Sequence, residues 1–202
     1  MDMELSRLSV VEWNIALLAL IMVIGGAMSI ALTTNPDWMS LHLSRLGEGG
    51  NVSSYLFNAT AAFSGLAMYG LSMRIMQAKG WQGLSKVTAH TTKRILHAAF
   101  RTIAVCLVGL SIFPYDKFIV VHNTFGYGMT VVFLAAVAII TYKLPVFSNA
   151  FKLVTGYFLL AMLSLFAFYF VFNGRQITLL QVQILGLVFF FVWLIKLARA
   201  IR

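Results

Sequence analysis

Six continuous apolar stretches constrain this chain more than any other feature in it. They run approximately over residues 13–33, 54–76, 95–113, 118–142, 153–172 and 179–198. Each is long enough to cross about 30 Å of hydrocarbon as a helix. In lipid, only helices and closed barrels satisfy the backbone. A barrel needs shorter segments of alternating polarity, whereas these runs are apolar throughout. The expected fold is therefore an all-α integral membrane protein, a six-transmembrane-helix bundle. Composition agrees: 60% of the residues are apolar and 10% charged, against about one half and one quarter in soluble domains. The connections leave no room for a second domain, so residues 1–202 are expected to form a single membrane domain.

A net charge of +9 raises the question of nucleic acid. There is no basic stripe interleaved with exposed aromatics and no nucleic-acid fold signature, so no such partner is expected. The charge has a better explanation in topology. Six spans put both ends of the chain on one side, and eleven Lys and Arg fall on that side against Arg45, Lys117 and Arg175 opposite. That bias places both termini in the cytoplasm. The acidic leader with Asp2, Glu4 and Glu12, and the length of the first apolar run, suit an uncleaved first helix better than a signal peptide. The single cysteine, Cys106, excludes an intrachain disulfide and a multi-cysteine metal site, and reads as a packing residue.

With that topology, the polar residues gather at the outer face. The stretch "HLSRLGEGGNVSSYLFN" at 42–58 and the tight "PYDK" turn at 114–117 both emerge there, together with Asp37, Glu48 and Asp116. Trp38 suits the interfacial aromatic belt, and the segment around Leu41, Leu43 and Leu46 is expected to be a partly embedded loop or a short interfacial helix. Asn58 and His122 each lie about 6 Å inside the outer end of a helix by the helical rise. If the second and fourth spans adjoin, the two share a depth and an outer-leaflet pocket becomes possible. Ala61, Ala62 and Gly65 below Asn58, and Gly126 below His122, permit close helix packing. Two readings stand side by side. Asn58 and His122 either pin neighbouring loops through backbone carbonyls, or they form a site in which Asp116 orients His122 as a general base.

Arg101 lies about 9 Å inside the cytoplasmic end of the third span. It either snorkels to headgroups or clamps an anionic lipid or substrate group. Metal and haem find little support. His97 and His122 sit roughly 24 Å and 6 Å below the outer boundary, too far apart to share an iron. A cluster of His122, Asp116 and His42 has no metal-motif spacing. No metal and no cofactor are expected. Ser44 lacks a Gly-x-Ser-x-Gly elbow, and "GEGG" lacks the Lys-Ser/Thr of a phosphate loop, which makes it a turn.

The motifs "SRLGEGGNVSSYLFN", "GL" at 65–66, and "GLSIFPYDK" followed by "VHN" resemble an uncharacterised family of prokaryotic six-span membrane proteins, a domain of unknown function. In that family a Ser-x-Leu-Gly loop precedes a Phe-Asn helix start, and a Phe-Pro turn precedes a histidine. More distantly, the chain is similar to the DRAM-like family of eukaryotic membrane proteins. The resemblance covers roughly residues 13–198, its specific part lies in 44–66 and 109–123, and the last two spans match only as apolar helices. It points to Ser44, Leu46, Gly47, Phe57, Asn58, Gly65, Phe113, Pro114 and His122, and implies the prokaryotic cytoplasmic membrane. It carries no reaction.

Three functions follow as expectations. The first is a non-catalytic module that binds a lipid headgroup, small amphiphile or membrane-protein partner through Ser44, Arg45, Asn58, Asp116 and His122, with Arg101 as a further anion contact. The second is an outer-leaflet lipid-modifying enzyme with His122 as base and Asp116 as its orienting partner. The third is a small-solute transport subunit, with Ala27 and Ala31 as one small-residue step on the first helix.

Overall fold

The computed structural model describes residues 9–34, 39, 42–172 and 177–202. Asp37, Trp38 and Leu41, assigned above to the outer interface, lie outside them, as do Arg7 and Arg175 of the charge pattern. Among the described residues there are six α-helices and no strand: α1 (Val10–Leu32), α2 (Val52–Gln77), α3 (Lys86–Ile112), α4 (Ile119–Lys143), α5 (Asn149–Val171) and α6 (Leu179–Ala200). Five of them, all but α2, are long and apolar enough to cross a membrane. That is the pattern of a multi-pass membrane protein. Exposed apolar side chains cover its sides, among them Val23, Phe63, Val120, Leu163 and Val188, where a soluble protein would present polar groups.

Capping sets where the helices begin. Ser9 accepts from the Glu12 amide while the Glu12 carboxylate accepts from the Ser9 amide, a capping box that starts α1. Asn51, Ser85 and Ser148 cap α2, α3 and α5, and Thr178 with Gln181 forms a second box at α6. The Ser85 cap explains the largest departure from the apolar runs. α3 begins at Lys86, nine residues before its apolar stretch, because a capped polar segment continues the same helix.

The helices pack in chain order around a ring, and α6 returns to α1 to close it. Their alternating directions bring the start of α1 and the end of α6 to one end, called here the terminal end. There the Gly80 amide donates to the Ile201 carbonyl at 3.0 Å, and Arg199 lies 3.8 Å from Glu12. The apolar core concentrates toward that end, around Leu18, Leu71, Ile75, Phe100, Ile140, Trp193 and Leu197. Trp193 donates to the Thr141 hydroxyl at 2.9 Å, tying α6 across to α4.

α2 lies between α1 and α3, which accounts for its lower hydropathy. Its buried Ser53, Ser54, Ser64 and Ser72 face protein rather than the surroundings, and small polar residues at helix interfaces allow close approach. Gly65 shows how close: a Cβ there would stand 2.8 Å from the Ala104 carbonyl oxygen on α3. Gly126 plays no such part, since the nearest atom to its would-be Cβ is 3.9 Å away. α3 and α4 instead approach closely at Gly109, against the Phe125 ring.

Candidate functional site

The end opposite the termini, the distal end, is where the polar residues meet. After His42 the chain makes one 3₁₀ turn, Leu43–Gly47, the helical one of the two forms expected for this segment. Leu46 is 1% exposed and anchors the turn. Gly49 and Gly50 then take φ of 84° and 65°, which favours glycine and delivers the chain to the Asn51 cap of α2. The "GEGG" run is a turn, as its chemistry indicated.

Three side chains fix this loop to the helices around it. The Asn58 amide nitrogen donates to the Gly47 carbonyl at 3.2 Å, and a Cβ on Gly47 would stand 2.6 Å from the Asn58 Oδ1. From α6, the Gln183 side-chain oxygen accepts the Leu43 amide at 3.0 Å. Asp116, in the turn between α3 and α4, accepts the Gly49 amide at 3.4 Å. The segments preceding α2 and α4 therefore do adjoin.

Tyr115 joins the two segments. Its ring meets His42 edge-on at 4.7 Å and His122 at 5.6 Å, with the Arg45 guanidinium over it at 5.2 Å. Arg45 also donates to Glu48 Oε2 at 2.9 Å. His122, 5% exposed, has Nδ1 at 2.7 Å from the Phe113 carbonyl. A carbonyl can only accept, so Nδ1 carries the proton, and in the neutral ring Nε2 is a lone pair.

Three buried atoms in this cluster have no hydrogen-bond partner among the described residues: His122 Nε2, Glu48 Oε1 and Arg45 Nε. Two of them accept and one donates. His42 is held neutral. Burial first, then the positive charge of Arg45 and the neighbouring His122, push its pKa down to about 4.

The expected site residues separate into distinct places. Arg45 and His122 line the cluster through Tyr115. Asn58 uses its amide on the Gly47 carbonyl, so it positions the loop. Asp116 holds Gly49, and the orienting acceptor of His122 is the Phe113 carbonyl in its stead. Ser44 belongs to the 3₁₀ turn, and no hydrogen bond of its hydroxyl links it to the cluster. Arg101 lies elsewhere, 5.9 Å over Tyr69 on the face of α3. It is about 18 Å along the helix from Phe113. No group of three or more His, Cys, Asp or Glu residues among the described residues has metal-binding geometry.

Sequence reasoning left Tyr115, Glu48 and Gln183 out of the candidate set and gave His42 only a metal role. Gln183 carried a usable signal, a polar residue within the first two turns of an apolar helix, as Asn58 and His122 are. Tyr115 carried none, because an aromatic residue beside a turn proline suits an interfacial belt equally well. No family model, curated protein or solved structure matches the chain, so its function has to be argued from this geometry.

Proposed function

We propose that this chain is a six-span protein of a prokaryotic cytoplasmic membrane, with both termini cytoplasmic, whose distal cluster faces outward and binds the headgroup of a lipid or small amphiphile. α2 supplies the sixth span: flanked by α1 and α3, it needs less apolar surface than its neighbours. The excess of Lys and Arg at the terminal end supports the orientation.

One observation carries the binding reading, the three polar atoms buried around Tyr115 with no partner among the described residues. Each costs about 1–3 kcal/mol if nothing satisfies it, and a cluster of such groups is kept where a ligand or solvent completes it. The set also selects the ligand. His122 Nε2 and Glu48 Oε1 call for hydroxyl or amine donors, and Arg45 Nε calls for one acceptor. A glycerol or ethanolamine headgroup meets that pattern, and the quaternary ammonium of choline does not.

The test is native mass spectrometry of the full chain after gentle extraction from mixed phosphatidylethanolamine and phosphatidylcholine bilayers. Retention of phosphatidylethanolamine beyond its share, lost in Glu48→Gln and in His122→Ala, supports the reading. Proportional retention of the two lipids, unchanged by either substitution, would leave solvent as the occupant and sink it.

A second reading is favoured by the His122 tautomer. With Nδ1–H fixed on the Phe113 carbonyl, Nε2 is free to take a proton from a substrate hydroxyl or from water, the role of a general base in an outer-leaflet lipid-modifying enzyme. Loss of a defined lipid over time in reconstituted vesicles, abolished by His122→Gln, would separate turnover from binding.

A further inference from the structure

α3 carries a second polar feature, unconnected with the distal cluster. Arg94, His97 and Arg101 line an open groove of about 560 Å³ on the outer side of the bundle, with Met76, Ala98 and Val105 among its apolar walls. A smaller groove of about 360 Å³ over His90 and Arg94 continues it toward the start of the helix. Arg94 and Arg101 are two turns apart on one helix face, with about 10 Å of rise between them and His97 falling in the interval. His97 Nδ1 lies 2.7 Å from the Ser72 hydroxyl. When that hydroxyl donates, the proton sits on Nε2, and the imidazole becomes a third donor beside the two guanidiniums.

Neither arginine has a carboxylate partner among the described residues. Arg45 pairs with Glu48, and Arg199 with Glu12. Glu12 is engaged at the start of α1, and Glu48 and Asp116 lie at the distal end. Arg101 lies over the Tyr69 ring. A guanidinium at this depth on an apolar helix is expensive unless a counter-charge or headgroup reaches it.

We propose that the groove binds the phosphate of an anionic phospholipid from the leaflet on the terminal side, with Arg94 and Arg101 reaching it from above and below and His97 donating between them. The occupant is a lipid and not a free anion, because the groove opens sideways from the helix ring. Its rim continues as exposed Leu66, Tyr69 and Val105, a surface suited to acyl chains. The assignment rests on the membrane reading of the fold and is independent of what the distal cluster binds.

The full chain, reconstituted in mixed phosphatidylglycerol and phosphatidylcholine bilayers and released gently, should retain phosphatidylglycerol in excess of its share by native mass spectrometry. The excess should fall about fivefold for each guanidinium neutralised in R94Q and R101Q. It should persist in R101K and in His122→Ala, which separates this groove from the distal site. Proportional retention of the two lipids by the unsubstituted chain would overturn the proposal without reliance on any variant. So would an excess that survives in R94Q/R101Q, or displacement of the lipid by inorganic phosphate alone.

Discussion

His42 shows how one buried side chain couples the distal cluster to pH. Its folded pKa of about 4 lies below the ordinary histidine value of 6.5 because burial and the nearby Arg45 disfavour the imidazolium. Between those two values the unfolded chain binds more protons than the folded one, so stability falls as pH drops. Above 6.5 the group is neutral in both states and contributes no slope; below 4 it is protonated in both and the loss is complete. The thermal midpoint of the detergent-solubilised protein should hold above pH 6.5 and decline on acidification toward pH 4. His42→Phe keeps an aromatic edge against Tyr115 and removes the proton, so it should flatten that decline. An equal slope in the variant would mean that another group titrates. Asn58 and His122 differ in kind at this scale. Asn58 spends its amide on the Gly47 carbonyl and acts on the loop, whereas His122 spends one nitrogen on the Phe113 carbonyl and the other has no partner among the described residues.

At the scale of elements, the position of α2 decides how the loop and the cluster meet. Its Gly65 lets the backbone approach α3 until the Ala104 carbonyl would be 2.8 Å from a Cβ. Gly65→Val should push the two helices apart and destabilise the protein by about 1–3 kcal/mol, the usual cost of overpacking. Gly128 on α4 is the matched control: nothing lies within 4 Å of its would-be Cβ, so Gly128→Ala should be neutral or slightly stabilising through helix propensity. Thermal midpoints of the two variants in one detergent decide the point, and equal midpoints would refute the close-packing argument. Ser85 acts at the same scale. By capping α3 before its apolar stretch begins, it places Arg94 and Arg101 on one continuous helix and so makes their shared face possible.

For the whole molecule, the testable claim is which end faces which side. Cys106 is the one cysteine and is buried, so introduced cysteines report cleanly. In intact cells, a membrane-impermeant maleimide should label Asn51→Cys and Lys117→Cys at the distal end. Lys79→Cys and Lys143→Cys at the terminal end should react only after permeabilisation. The reverse pattern would invert the proposed orientation, and labelling of all four from outside would deny the membrane reading. The uneven core fits a division of labour between the ends. The largest buried apolar side chains cluster in the terminal half, while at the distal end hydrogen bonds from Asn58, Gln183 and Asp116 add to the buried Leu46 and the Phe113 ring contacts.

Much of this architecture was legible from local chemistry alone. Apolar runs of spanning length predicted helices within a few residues of those found, because hydrocarbon leaves the backbone few alternatives. The exception at α3 arose because a cap, and not hydropathy, sets where a helix starts. Polar residues near the ends of apolar helices marked Asn58 and His122 as groups that need partners, and each has a backbone carbonyl for one, Gly47 and Phe113 respectively. Which partners they have was beyond any one-dimensional reading. The Tyr115 ring on His42 and the Gln183 side chain on the Leu43 amide act only because segments 65 or more residues apart pack together, while the Phe113 carbonyl, nine residues before His122, depends on how the turn between α3 and α4 closes. Periodicity and charge report what each segment needs, and only packing determines which other segment supplies it.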